Sequence, residues 1–195
     1  TTIEEKINGE IVEKKSKFIA NIFPIENEED ALQKLDEIRK LHRDARHNVF
    51  VYRIANGIER ASDDGEPSGT AGLPALNVFK NNDITNFVCI IVRYFGGIKL
   101  GAGGLVRAYS KSASEALKQA TIVPIIEYDY LELTFNYAYM DIIENRLKNY
   151  EITNRSFSTD IKLIVKVNRL ETKSLISMLV GLTNNQIKIK INTEQ

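Results

Sequence analysis

Hydrophobic positions change their period several times along the chain, and each change marks a predicted element. Within residues 12–24, Phe18, Ala20 and Ile22 alternate with Ile19, Asn21 and Phe23, the period of a β-strand, and Pro24 ends it. Ala31, Leu32, Leu35, Ile38 and Leu41 then recur at helical spacing. Asn27 is placed to cap that helix; Glu28, Glu29 and Asp30 crowd its first turn, and Lys40 and Arg43 lie near its far end, as the macrodipole favours. Residues 48–55 alternate as a strand, Asn56-Gly57 is a two-residue hairpin signal, and residues 58–62 return antiparallel. Gly69-Thr70 opens a predicted helix that runs to Lys80, with Thr70 as its cap. The unbroken apolar run at residues 87–92 suits a strand buried on both faces. A further helix is predicted over residues 105–120. Leu105, Tyr109, Ala113, Ala116 and Ala120 share one face, and Arg107, Lys111, Ser114 and Lys118 form a stripe on the opposite one.

The chain changes character at Pro124. Beyond it there is no proline or histidine, and no glycine until Gly181. Residues 128–137 alternate as a strand, and 140–149 are helical with Ile143 and Leu147 inward. Strands follow at 151–159 and 161–168. A helix over 170–180 stops at Gly181, and a last strand over 186–191 puts Ile187, Ile189 and Ile191 on one face. That order, βαββαβ, is a ferredoxin-like split unit. The expectation is an α+β protein of two domains, 1–124 and 125–195.

Composition narrows the classes. The chain has 195 residues, with 26 Lys+Arg balancing 26 Asp+Glu. That balance argues against a bulk polyanion binder and leaves room for a local basic patch. Cys89 is the single cysteine, so no disulfide framework exists and a reducing compartment, the cytoplasm, is expected. Neither a leader segment nor an apolar run of membrane-spanning length is visible, so no membrane partner is expected.

The candidate chemistry lies in residues 63–107. Of 11 glycines, 8 fall between Gly65 and Gly104, a density that lowers local stability unless the backbone needs unusual turns or close approach. Residues 96–104 form a glycine-rich loop opening a helix. Free N–H groups of Gly101, Gly103 and Gly104, with Arg93, Lys99 and Arg107 around them, make an anion-binding device in principle. Neither the G-K-[ST] nor the G-x-G-x-x-G spacing is present, and the alternative is that the glycines let the helix pack closely. In the preceding acidic loop, Asp63, Asp64 and Glu66 can hold Mg²⁺ beside a phosphate, or can belong to a capped turn with no metal; the turn is favoured because no further ligand set follows. Ser68 is not in a nucleophile elbow, and a Ser68–His47–Asp63 relay can be drawn only on paper. His42, His47 and Cys89 lack zinc-ligand spacing, and Cys89 reads as a small core residue. Tyr94 and Phe95 beside Arg93 suit base stacking next to phosphate contacts; the alternative, favoured for Phe95 and open for Tyr94, is that one ring packs in the core and the other covers glycine backbone.

Several of these stretches together carry a resemblance: Lys14-Lys15-Ser16-Lys17-Phe18, Arg46-His47, the run 63–72 (DDGEPSGTAG) and the run 93–109 (RYFGGIKLGAGGLVRAY). They are similar to the IMPACT family, in its bacterial YigZ-like branch. Lys15 stands where that family usually has glycine, and Arg46 where threonine usually precedes the histidine. The resemblance implies an N-terminal α+β domain of the ribosomal-protein-S5 domain-2 type and a C-terminal ferredoxin-like domain similar to one in elongation factor G. It also implies a link to translation, which eukaryotic relatives regulate through an additional N-terminal domain. The resulting expectation is a non-catalytic protein that binds RNA or a ribosomal or translation-factor surface, without cofactor or metal. Arg93, Tyr94, Lys99, Gly101, Gly103, Gly104 and Arg107 would make the nucleic-acid contacts. Arg46, His47, Asp63, Asp64, Glu66, Ser68 and Thr70 would form a polar loop in the same cleft. A phosphate-ligand enzyme using both loops, and a pure protein–protein module, are the alternatives.

Overall fold

In a computed structural model, which describes residues 1–193, the chain divides into two compact units, Thr1–Ile125 and a second beginning at Ile126. The first contains β1 (Thr2–Ile3), β2 (Ile7–Glu13), β3 (Ser16–Pro24), α1 (Glu28–Leu41), β4 (His47–Arg53), β5 (Glu59–Ser62), α2 (Gly72–Asn81), β6 (Phe87–Tyr94), α3 (Ala102–Leu117) and β7 (Ile122–Val123). Five of the strands form an antiparallel sheet in the order β2-β3-β6-β4-β5. The apolar run becomes β6, the central strand. Val88, Ile90 and Val92 pack with Ala31, Leu35 and Ile38 of α1 on one face. Cys89 and Ile91 pack with α2 and α3 residues such as Phe79 and Tyr109 on the other. Helices on both faces thus explain the continuous hydrophobicity, without parallel strands.

Local chemistry accounts for most element ends. The Asp30 N–H donates to the Asn27 side chain at 2.9 Å, capping α1 as predicted. The apolar stripe of α1 is narrower than its periodicity suggests, since Leu32 and Leu41 are exposed. The β4–β5 hairpin is present, but its register pairs Arg53 with Glu59, so the connection is longer than two residues. Gly57 takes a positive φ of 92°, and the Asn56 side chain instead accepts from the Ile58 N–H at 3.1 Å. The strand β2 lies outside the predicted elements. Its alternation is masked by Gly9, where a Cβ would come within 2.9 Å of the Ala116 Cβ on α3.

The second unit contains β8 (Tyr128–Phe135), a 3₁₀ turn (Tyr137–Tyr139), α4 (Met140–Arg146), β9 (Glu151–Phe157), β10 (Ile161–Asn168), α5 (Arg169–Leu182) and β11 (Lys188–Thr193). Its four-stranded antiparallel sheet has the order β11-β8-β10-β9, the βαββαβ arrangement predicted. Leu131, Leu133, Phe135, Ile143, Leu163 and Leu175 belong to a separate core. Helix α5 continues through Gly181, and the left-handed residues beyond it are Asn184 and Asn185, at φ 49° and 63°. Of the last strand's isoleucines, Ile187 is buried and Ile191 exposed. Among the described residues no helix is long and apolar enough to cross a membrane.

Candidate nucleic-acid interface

The acidic loop is built around its two aspartates. The Gly69, Ala71 and Gly72 N–H groups donate to the Asp63 carboxylate at 2.8, 3.0 and 2.8 Å. Asp63 therefore caps α2 from upstream, in place of Thr70, whose hydroxyl donates to the Pro67 carbonyl at 2.6 Å. Burial by itself would raise the Asp63 pKa; the three N–H bonds outweigh it and hold the group below the ordinary carboxylate value. Asp64, at a positive φ of 44°, accepts from Arg39 at 2.8 Å and from the Asn48 N–H at 2.6 Å. Both carboxylates are thus engaged by the protein itself and favour the capped turn over a Mg²⁺ site. His47 Nδ1 donates to the Asp64 carbonyl at 2.9 Å, so the drawn Ser68–His47–Asp63 relay does not form, and Ser68 is exposed. No group of three or more metal-ligating side chains occurs among the described residues.

Glu66 is only 8% exposed. Its Oε1 accepts from Arg93 Nη1 at 2.6 Å and from the Tyr109 hydroxyl at 2.8 Å. Burial first, and then the Glu66 charge, drive the Tyr109 hydroxyl pKa upward. The Arg93 guanidinium also lies over two rings, 5.5 Å from the Phe18 centroid and 5.7 Å from that of Phe95. Arg93 is therefore a buried, paired side chain rather than an open phosphate contact, although its Nε has no partner among the described residues. Tyr94, next on β6, points the opposite way, toward α1, where its hydroxyl lies 2.9 Å from His42 Nδ1. It is not a stacking platform for this site.

A cavity of about 440 Å³ opens above the Glu66–Arg93 pair. Arg46, His47, Glu66 and Pro67 line it from the acidic-loop side, and Phe95, Lys99, Leu100, Gly101, Ala102 and Leu105 from the glycine-rich side. Gly101 adopts φ 70° at the start of α3, and no side chain caps that helix. The helix begins earlier than periodicity indicates, so Gly103 and Gly104 belong to its first turn instead of a loop. The Leu105 N–H closes the first helical bond, to the Gly101 carbonyl at 2.9 Å, which leaves the N–H groups of the first turn outside the helical ladder. Arg46 and Lys99 are exposed, and neither enters an ion pair among the described residues. Phe95, 51% exposed, is the ring the cavity actually presents. The sequence favours a packing role for this ring; its place one residue past the end of β6 is the signal for exposure. Arg107 lines a neighbouring cavity instead.

Residues 14–117, which include every residue lining this cavity, match the Impact N-terminal domain family. Over 193 residues the chain is 37% identical to the IMPACT family member YvyE of Bacillus subtilis (strain 168), covering 97% of this chain and 89% of that protein. It is 38% identical over 133 residues to the IMPACT family member YigZ of Escherichia coli (strain K12), covering 62% of this chain and 65% of that one. A crystal structure described as that of a hypothetical protein aligns with a TM-score of 0.74 and 27% identity, covering 100% of this chain and 97% of that one.

Proposed function

The chain belongs to the IMPACT family, and on that premise we propose that its first unit binds single-stranded RNA in the cytoplasm, free or displayed on the ribosome, as a non-catalytic element of translational control. The observation carrying this reading is the half-exposed Phe95 ring, backed by the Arg93 guanidinium, in a cavity that also presents Arg46 and Lys99. Single-strand binders combine such parts: a π-face on which any base can stack, and cations along the phosphate path. Glu66, the one carboxylate lining the cavity, is offset by its pairing with Arg93, so Arg46 and Lys99 set the local charge. The engagement of Asp63 and Asp64 by backbone N–H groups and Arg39 favours binding over a Mg²⁺-dependent reaction at this loop.

Fluorescence titration of a labelled single-stranded RNA at several salt concentrations tests it. Phe95→Ala is expected to weaken binding by ~1–3 kcal/mol with little change in salt slope. Lys99→Ala is expected to weaken it for all sequences and to lower the slope by about 0.7 units for one lost phosphate contact. Absence of saturable RNA binding at low salt overturns the proposal, and turnover of a phosphorylated substrate in the same cleft would replace it with the enzyme reading.

A further inference from the structure

Leu100 separates the cleft from a second cavity of about 250 Å³, which lies between the β2–β3 turn and α3. Lys14, Arg107 and Lys111 line this groove, with Glu13 as its single carboxylate. The three cations are exposed and form no ion pair among the described residues, in a chain whose formal charges balance.

The cluster is held together against its own preferences. Arg107 and Lys111 are like charges one helical turn apart, which repel, with Glu115 one turn further on offsetting part of the charge of Lys111. Lys14 and Lys15 occupy both central positions of the turn between paired Glu13 and Ser16, at φ 45° and 64°, a conformation that favours asparagine and glycine. The turn is also braced from behind. A Cβ at Gly96 would lie 2.0 Å from the Lys15 carbonyl carbon, so the chain leading from Phe95 packs directly on the turn's main chain. Backbone held in such sparsely populated conformations clusters at ligand-binding sites.

We infer that this groove is a second phosphate subsite on the same path. With one base stacked on Phe95, the adjoining phosphates of the strand pass over Leu100 and lie against Lys14, Arg107 and Lys111. The ligand is then an oligonucleotide and not a mononucleotide. The inference rests on the RNA reading of the cleft and adds the path of the bound strand beyond it.

The test compares UMP, a uridine hexanucleotide, a thymidine DNA hexanucleotide and inorganic polyphosphate as probes of the full chain. Wild type, Phe95→Ala and the double variant Arg107→Ala/Lys111→Ala are each checked by circular dichroism for retained fold. The hexanucleotide is expected to bind at least about tenfold more tightly than UMP. The double variant should erase that advantage, lower the salt slope for the hexanucleotide by about 1.4 units for two lost phosphate contacts, and leave UMP binding unchanged. Unchanged hexanucleotide affinity and slope in the double variant, with Phe95→Ala still weakened, overturns the groove and spares the cleft. Hexanucleotide binding lost in the double variant but untouched by Phe95→Ala removes the cleft reading and with it the continuous path. Polyphosphate binding as tight as that of the hexanucleotide reduces the groove to a general anion trap and also overturns the inference. DNA binding equal to RNA overturns the assignment to RNA.

Discussion

Arg93 and Tyr94 are consecutive on β6, yet Arg93 reaches Glu66 beneath the cleft while Tyr94 reaches His42 on the opposite side of the sheet. Tyr94→Phe is therefore expected to leave RNA affinity unchanged and to cost ~0.5–1.5 kcal/mol of stability through the lost hydrogen bond. Titration and urea unfolding of the same preparation check both halves.

His42 itself gives a pH-dependent prediction. Burial, and then the charge on Lys17, lower its pKa in the folded chain. Its contribution to stability is thus fully present above the unfolded value of about 6.5, and is lost as pH falls through the depressed folded value. The stability of wild type relative to His42→Gln should shrink between about pH 7 and pH 5, followed by melting temperature across that range.

The Glu66–Arg93–Tyr109 cluster should dominate the stability of the first unit. Glu66→Ala leaves a buried guanidinium without its carboxylate, which costs about 3–5 kcal/mol. Removing both charges at once, as in Glu66→Leu/Arg93→Met, should recover much of that loss, because the desolvation of two ions disappears with them. Equal destabilisation by the single and double changes in denaturant titrations would count against the pairing as the cause.

Asp63→Ala should cost roughly 1–2 kcal/mol, the usual value of an N-terminal cap. The Asp63 carboxyl is depressed in the folded chain, so its extra stabilisation is present above about 3.9 and is lost as pH falls through the lower folded value. Asp63→Asn retains an acceptor for the helix N–H groups without titrating. The advantage of wild type over Asp63→Asn should therefore vanish in acid, as read from unfolding free energies below pH 4.

We propose that the second unit folds alone. Its core of Leu131, Phe135, Val165 and Leu179 is complete within the chain from Ile126 onward. A fragment of about 70 residues would be marginal, because small domains bury a lower fraction of their surface. A single cooperative thermal transition in that fragment is the expected result.

What the sequence disclosed depended on how local the cause was. Asn27 capping α1 three residues on is a local bond, and β6 declares its two-sided burial in composition alone. The inner strands β8 and β10 of the second unit alternate cleanly because the core lies on one side of that sheet. By contrast, the cap of α2 comes from Asp63, which reaches the Gly72 N–H nine residues away across a turn, and periodicity carries no such signal. Arg93 reads as a ligand contact in the sequence because the carboxylate that pairs with it, Glu66, lies 27 residues away in the chain. The opposite facing of Tyr94 and Arg93 is itself legible, since neighbouring residues on a strand point to opposite sides.

The short pairing of Thr2 with Val123 and Ile3 with Ile122, extended by the Glu4 N–H donating to the Thr121 carbonyl at 3.0 Å, joins the beginning of the first unit to its exit. The unit is in effect a closed loop of chain fastened by a small clasp. Tension applied to the segment leaving Val123 would load that clasp before the five-stranded sheet. The same closure makes the unit suited to circular permutation, with the old ends fused across the clasp and new ones opened in the β4–β5 connection.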